Sequence, residues 1–336
     1  MNDVADAISV KGDRPSGDAT SRVGLPKTIR DLIVQAGVRH QAALVVLTVF
    51  VFLIELIPLE LQRRIVNDVV GKQDLQLLVL LCAAYAALVL VHGALKLGLN
   101  VYRSWVGEKT TRQLRRHIGE LIDTTQNIPR AHMTSGTSVS LMLAEVDPIG
   151  AFVGGSVSEP LLQAGILLTV FGYMITLQPF VALITLAIFS PQFIFVPLMQ
   201  RVINRRTAAR VKILRQVGGD IVASVTKDQA SADNKARIDR IFELNMGIFR
   251  VKFSMNFLMN LVHHLQIVGA LLFGGWCVVQ GLTEVGTIVA FVSGITRTND
   301  PWGDLVNYFR DLTSAKVKYR LLVDAVDAIG HDGARH

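Results

Sequence analysis

Long apolar runs, separated by stretches rich in basic residues, dominate the pattern of the chain. A membrane-spanning helix needs about 20 mostly apolar residues. One uncharged stretch, Pro160–Gln200, is too long for a single crossing and is interrupted at Leu177-Gln178-Pro179, which predicts a tight hairpin of two spans. We therefore predict an all-α membrane protein with six transmembrane helices, at about 41–62, 76–100, 156–177, 179–200, 255–280 and 284–308.

Lysine and arginine residues concentrate in alternate connections, and this bias predicts the orientation. The connections at about 104–159 and 201–252 are long and basic, whereas the turns at Gln178 and Gln280–Glu284 contain no basic residue. Positive residues near the ends of spans stay on the cytoplasmic side. We therefore expect both termini to face the cytoplasm and the protein to lie in the cell (inner) membrane.

The two long connections mix apolar with basic residues and contain no proline over 106–122 and 203–217. This pattern predicts membrane helices that extend far into water. Breaker-rich stretches at 127–137 and 217–225 predict short turns or cross-helices at the tips of two helical hairpins, where another protein could bind. The predicted organisation is a disordered cytoplasmic tail over 1–26, the six-helix domain over 27–328 and a C-terminal tail over 329–336.

Composition agrees with a membrane protein and changes how the net charge is interpreted. The residues AVILMFWYC make up 51% of the 336 positions and DEKR only 18%, with a net charge of +7. The basic residues form no separate domain, so we expect a lipid bilayer as the partner and no nucleic acid. Cys82 and Cys277 lie within apolar runs and indicate neither a disulfide framework nor a zinc site.

The sequence lacks the motifs of phosphate binding and hydrolysis. Its nearest approach to a P-loop, Gly12 to Gly17, is followed by Asp18, whose charge would repel phosphate. No H-E-x-x-H or G-x-S-x-G occurs, and the adjacent His263 and His264 lack the i, i+4 spacing of zinc ligands on one helix face. We therefore expect no catalytic, cofactor-binding or metal-binding residue in this chain, and we do not expect the chain to be an enzyme by itself.

Polar residues on the sixth predicted span mark a candidate substrate pathway. Ser293, Arg297, Asp300 and Asp304 share one helical stripe. A charge that faces lipid costs about 2.5–3.5 kcal/mol or more, so the stripe should face a water-filled cavity or a protein partner. The alternative is that the helix has already left the membrane and that Arg297 and Asp300 form a pair on a solvated face.

Three other spans contain ionisable residues with two interpretations each. Glu55 could be a pathway carboxylate or an interfacial residue beside Pro58. His263 and His264 could contact substrate or form hydrogen bonds between helices. On the second span, one helix face carries Tyr85, His92, Lys96 and Arg103. This face could be functional, or Lys96 could simply extend its charged end to the membrane interface.

Three local patterns agree with one known family. Gly107, Leu114-Arg115, Gly136 and Asp147 follow a G…LR…G…D order, and Gly281–Phe291 reads GLTEVGTIVAF, with Pro301 further along the same helix. Pro58 is followed by the segment Ile65–Val70. Together with the order of spans, they resemble the six-helix transmembrane domain of exporter-type ABC transporters over about 26–327, where these patterns form the first intracellular loop, the entry to the sixth helix and the first extracellular turn.

This resemblance implies a domain-swapped homodimer or heterodimer that alternates between inward- and outward-facing states. It also implies coupling segments, at 128–135 and about 216–226, that bind ATP-binding domains, with ATP and Mg²⁺ held by those partners. The residues that this places in partner coupling are Ile128, Pro129, Arg130, His132, Met133, Gly218, Gly219 and Asp220.

The function implied is that of a permease subunit of an ATP-driven transporter, and an exporter by resemblance. Fused members continue into an ATPase after the sixth helix, whereas this sequence ends at His336, so we expect the ATPase on a separate chain. Loss of the ATPase and truncation are the other possibilities. The alternative functions are a proton-driven transporter like the peptide importers that share this fold, using residues such as Glu55, His92 or Asp300, and a non-transporting membrane scaffold.

Overall fold

The structure is a computed structural model that describes residues 25–69, 74–125, 146–224 and 231–333. All regular secondary structure in these ranges is helical. The helices are α1 (Ile29–Gln35), α2 (Val38–Ile54), α3 (Ile57–Arg64), α4 (Leu75–Thr125), α5 (146–155), α6 (Ser158–Leu177), α7 (Pro179–Phe189), α8 (Gln192–Ser224), α9 (Ser231–Val279) and α10 (Val285–Gly333).

Five helical segments of the described chain are long and apolar enough to cross a membrane, which confirms the all-α membrane fold. The sixth predicted helix, α10, is continuous over Val285–Gly333, but Arg297 and the aspartates that follow it interrupt its apolar run. Its crossing of the membrane stays a prediction. The five candidate spans are Val38–Asp68, Leu75–Glu120, Ser158–Leu177, Pro179–Leu214 and Lys235–Val279.

Proline residues account for the breaks in the membrane helices. α2 ends at Ile54 and α3 begins at Ile57, because Pro58 cannot donate a backbone hydrogen bond and its ring clashes with the carbonyl four residues earlier. The chain nevertheless stays helical beyond α3, through a π-helical turn over Ile65–Val69. The helix therefore continues past the predicted end of the first span at 62, into the segment predicted as an extracellular turn.

The fourth crossing contains a break that the sequence analysis did not predict. The expected hairpin is present, since α6 ends at Leu177 and α7 begins at Pro179. A second interruption separates α7 from α8 at residues 190 and 191, where Pro191 lacks the backbone N–H that a continuous helix needs. Together α7 and the first part of α8 form the span Pro179–Leu214.

Four helices extend well beyond a bilayer, and two of them, α4 and α8, are those whose extension the amphipathic connections predicted. α4 has 51 residues, and α9 and α10 have 49 each. At 1.5 Å per residue α4 is about 75 Å long, more than twice the thickness of the hydrocarbon core. α8 runs unbroken through Gly218 and Gly219 to Ser224, so neither the short turn nor the separate cross-helix predicted for 217–225 is present over 217–224. Two glycines cost a helix only about 2 kcal/mol relative to alanine, so they need not end it.

Glycines allow α4 and α5 to pack with their backbones in contact. A Cβ added at Gly150 would lie 2.0 Å from Oγ1 of Thr111, and one at Gly154 would lie 2.3 Å from the carbonyl oxygen of Arg103. Close by, Arg115 Nη2 donates to Asp147 Oδ1 at 2.5 Å. The described positions of the G…LR…G…D pattern therefore lie at the crossing of α4 and α5, where they hold the two helices together.

α1 packs against α10 near the C-terminal end of the described chain. The Tyr319 hydroxyl donates to the carbonyl of Pro26 at 2.6 Å, and its burial raises the pKa of Tyr319. Ile29 and Leu32 of α1 join Tyr319 and Ile118 of α4 in one buried apolar cluster. The ends of α4 and α10 that lie beyond the membrane are thus packed together rather than separate.

Gly154→Ala tests the α4–α5 crossing. We expect the substitution to destabilise the protein by about 1–3 kcal/mol, because a rigid backbone carbonyl blocks the new methyl group. Gly119→Ala on α4 is the matched control, since nothing lies within 4 Å of its added Cβ and alanine favours a helix. Thermal unfolding in detergent should show a lower midpoint for Gly154→Ala only; equal midpoints would contradict the close crossing.

Candidate translocation pathway

The helical bundle has two different ends, which we call the turn end and the extension end. The turn end contains the short connections at Gln178 and 280–284, and the extension end is the one from which α4, α8, α9 and α10 continue. Glu55 lies between the ends, near the middle of the span Val38–Asp68 and at the break between α2 and α3. Pro58 causes this break, so the sequence that interrupts the helix also places a carboxylate inside the bundle.

Glu55 joins three helices through its carboxylate. Arg297 Nη1 of α10 donates to its Oε1, and His92 Nε2 of α4 lies 2.7 Å from its Oε2. The exposed fractions of the three side chains are 14% for Glu55, 17% for His92 and 25% for Arg297. We call these residues the charged triad. In a medium of low dielectric constant a carboxylate needs such partners, so the triad ties α2, α4 and α10 together.

The two partners of Glu55 are held differently. Arg297 forms a hydrogen-bonded ion pair, whereas His92 Nε2 makes no aligned hydrogen bond although it lies close to the carboxylate. Pro301, one helical turn after Arg297, removes the backbone donor that would bind the Arg297 carbonyl. The triad therefore combines a hydrogen-bonded ion pair with a histidine whose Nε2 makes no aligned hydrogen bond, and next to it is a backbone carbonyl that lacks its usual helical donor.

A second polar layer lies closer to the extension end. The Gln163 side-chain amide donates to Glu159 Oε1 at 2.9 Å and to Asp304 Oδ2 at 3.2 Å. Arg103 of α4 pairs with Glu159. Tyr308 of α10 donates to the Ser156 carbonyl at 2.7 Å. These contacts join α4, α6 and α10 one layer below the charged triad, and they include Asp304 of the predicted stripe.

An open cavity of about 770 Å³ adjoins this second layer. It lies between α4, α5, α6 and α10, and it has the size of a pocket for a small organic molecule. Its walls carry both signs of charge and several polar groups. The charged residues that line it are Arg103, Glu108, Glu159, Asp304, Arg310, Asp311 and Lys318.

The turn end is closed by a network that we call the outer clasp. Glu60 of α3 accepts hydrogen bonds at 2.8 Å from Arg63 and at 2.6 Å from the Tyr173 hydroxyl of α6. Asn67 accepts from the backbone N–H of Gly286 at 2.7 Å. A Cβ at Gly286 would lie 2.4 Å from Asn67 Oδ1. The second glycine of the GLTEVG segment is thus required for the contact between α10 and the end of the first span.

Comparison with known proteins identifies this arrangement. A model of the ABC transporter transmembrane region matches residues 42–226, just over half of the chain. The chain belongs to this family. No curated protein matches it. The protein is therefore a permease-type membrane part of an ABC transporter, as the motifs around Gly107 and Gly286 indicated.

The structure of this ABC transporter region brings together only part of the predicted pathway. Arg297 and Glu55 are in direct contact, and Asp304 lines the cavity one layer away. Ser293 is half-buried on the same helix. Asp300 is exposed, and the Arg297–Asp300 pair considered from the sequence is replaced by the pair of Arg297 with Glu55, which i, i+3 spacing alone could not reveal.

The histidine pair lies on α9 rather than in the charged triad. The ring centroids of His263 and His264 are 5.5 Å apart, with His264 exposed and His263 half-buried. Asp300 is close enough to act electrostatically on His263. Within the described ranges no group of three His, Cys, Asp or Glu side chains is arranged to hold a metal ion. The pair therefore lies apart from the charged triad, with one ring exposed and the other half-buried.

Most of the predicted coupling residues cannot be placed. Ile128, Pro129, Arg130, His132 and Met133 lie outside the described residues. Gly218, Gly219 and Asp220 lie within α8, close to its end at Ser224, and the structure describes their helical backbone only. Their role in coupling stays a prediction.

Sequence reasoning missed several members of these networks. Gln163 and Glu159 are four residues apart at the start of the uncharged run of α6, and Glu60 precedes Arg63 by three residues. This spacing marks side chains that can meet on one face of a helix, so it was a usable signal. The contacts of Tyr173 with Glu60 and of Asn67 with Gly286 join residues far apart in sequence, and no local pattern predicts them.

Removing the Arg297–Glu55 ion pair, and then restoring it with the charges exchanged, tests whether the pair stabilises the fold, contributes to transport or does both. We expect Arg297→Leu to insert into the membrane but to abolish or change the specificity of transport, because Glu55 loses its ion pair with α10. Removing one partner of a buried pair costs about 3–5 kcal/mol, so the midpoint of thermal unfolding should fall as well.

The double variant Glu55→Arg with Arg297→Glu restores the pair and should recover stability without recovering transport. Thr296→Leu, an exposed neighbour on α10, is the control and should behave as wild type. Normal transport by Arg297→Leu would remove this residue from the pathway.

Proposed function

We propose that this chain is the permease subunit of an ATP-driven exporter, powered by a separate ATP-binding subunit that docks at the extension end. The observation that supports this most is that α4 carries His92 of the triad and Arg103 of the cavity and continues unbroken to Thr125, next to the first coupling segment. One rigid element thus connects the polar layers to a tip that a partner can move.

In the proposed cycle, ATP binding by the partner displaces the coupling segments, and α4 transmits this displacement to the triad. The cavity at the extension end then closes while the outer clasp opens, as in rigid-body transitions between two packed states. ATP and Mg²⁺ belong to the partner. A substrate shifts this balance only if it binds the two states with different affinities.

A second copy of the membrane subunit, identical or homologous, completes the proposed transporter. Large apolar side chains are exposed along α9, among them Phe257 at 65% and Leu261 at 42%, beside the polar Asn256 and Asn260. Lipid covers an apolar face well but does not satisfy the two amides, so we propose that part of this face packs against the partner subunit. Both termini then lie in the cytoplasm and the subunit lies in the inner membrane.

The second candidate function is proton-driven transport. It is favoured by His92, whose Nε2 lies near the Glu55 carboxylate without an aligned hydrogen bond, since such a pair can exchange a proton with a passing substrate. A transport assay in native vesicles separates the two candidates. Loss of transport on ATP depletion supports the ATP-driven exporter, whereas loss on collapse of the proton gradient, with indifference to ATP, supports the second.

Variants at the tips test the docking of an ATP-binding subunit. We expect a protein with a P-loop to co-purify with this chain from its native membrane. Gly218→Trp and Pro129→Asp should abolish the substrate-stimulated ATPase activity of the reconstituted complex, because a large or charged side chain disturbs a protein–protein contact. Ala208→Trp, on the exposed shaft of α8, is the matched control. Unchanged substrate stimulation in both tip variants would contradict the docking assignment.

A further inference from the structure

We propose that the groove between α8 and α9 near the extension end is a binding site for one anionic phospholipid. A cavity of about 680 Å³ lies there, on a part of the chain that neither polar layer uses. Three of its lining residues are arginines, Arg206, Arg240 and Arg250, and Glu243 is the one acidic residue among those that line it. This inference requires the membrane-spanning fold only, and it is independent of the transport cycle proposed above.

The depth of the site matches the layer of lipid headgroups. The uncharged run of the fourth crossing ends at Gln200, and that of the fifth begins at Phe253. At 1.5 Å per residue Arg206 lies about 9 Å and Arg250 about 5 Å beyond these limits. The polar region of a bilayer is about 5–8 Å thick on each side, so both guanidinium groups lie at or near the level of the phosphates.

The positive charge of the groove is only partly compensated. Arg240 is paired with Glu243 at 2.6 Å, so these two charges cancel. Arg206 Nη1 donates to the carbonyl of Gly247, which is neutral. Arg250 is exposed and makes no ion pair within the described part of the chain. Two arginines without a carboxylate partner thus face the groove, and a phosphate group is the anion that the bilayer supplies at this depth.

Arg206 is held in position by the helix packing. A Cβ at Gly247 would lie 2.5 Å from Nη1 of Arg206, so the glycine leaves space for the guanidinium against the backbone of α9. Next to it, Arg210 Nη1 donates to Asn245 Oδ1 at 3.1 Å. Arg206 is therefore pre-positioned by α9, whereas Arg250 is free to close on a ligand. This combination favours a specific site over diffuse surface charge.

The apolar side of the groove fits an acyl chain. Val251 lines the cavity at its end nearest the membrane. Phe249 and Phe253, with ring centroids 6.2 Å apart, follow on α9 toward the membrane. Phenylalanines on that side and arginines at the phosphate level match the two parts of one phospholipid. A soluble anion would contact only the arginines. The experiment therefore compares a phospholipid with inorganic phosphate.

The test uses the full-length protein in nanodiscs of phosphatidylcholine alone or with phosphatidylglycerol. We expect phosphatidylglycerol to raise the thermal midpoint and to be retained on mild delipidation. Arg250→Gln should bind this lipid about fivefold more weakly, as loss of one cationic contact predicts. Arg205→Gln is the matched control, because Arg205 is exposed on α8 in the same layer and does not line the groove.

Three outcomes would overturn the proposal. The first is an equal loss of lipid in Arg205→Gln and Arg250→Gln, which would mean diffuse attraction. The second is full stabilisation of detergent-solubilised protein by inorganic phosphate, which would mean a site for a soluble anion. The third is a change in subunit association in Arg250→Gln with unchanged lipid retention, which would mean that a second copy of the chain covers the groove.

Discussion

The architecture depends on the need to neutralise ionisable groups inside a medium of low dielectric constant. Glu55 can remain charged near the middle of an apolar helix only because Arg297 and His92 reach it from two other helices. Three helices are thereby joined at one point. Any motion that separates these helices must break this contact or replace it with water or a solute, so the triad is a structural constraint on every rearrangement of the bundle.

The other close contacts hold the helices that carry the triad. Gly150 and Gly154 bring α5 against the backbone of α4, and Tyr319 fixes α1 to α10. At the opposite end the outer clasp joins α3, α6 and the start of α10 through Glu60 and Gly286. The bundle is thus closed by polar contacts at the turn end and contains an open, charged cavity toward the extension end. This asymmetry is what a gated pathway requires.

Much of the fold could be predicted because long apolar runs joined by basic connections are compatible with only a few arrangements of membrane helices. The hairpin at Gln178 and the great length of α4 follow from uncharged and amphipathic patterns of this kind. The break at Pro191 was missed because a proline within an apolar run can either kink or end a helix. Gly218 and Gly219 favour a turn or a short cross-helix, but α8 continues through both, since helix propensity is a weak predictor of where a helix ends.

The candidate site was less predictable than the fold. Helical spacing predicts a stripe that contains Arg297 and offers Asp300 as one possible partner, because the spacing pattern describes one helix only. The partner is Glu55, which is distant in sequence and reaches Arg297 through packing. Gln163 and Tyr173 were missed for the same reason, because uncharged polar residues in an apolar run give little signal before their neighbours are known.

The most direct measurement is the accessibility of the stripe to water from each side of the membrane. Ser293→Cys would be placed in a background with Cys82 and Cys277 replaced by serine and labelled with a charged thiol reagent. The account predicts labelling from the extension side without nucleotide and from the turn side when the partner holds a non-hydrolysable ATP analogue. A cysteine at this position that is unreactive from both sides in both states would contradict the existence of a gated pathway.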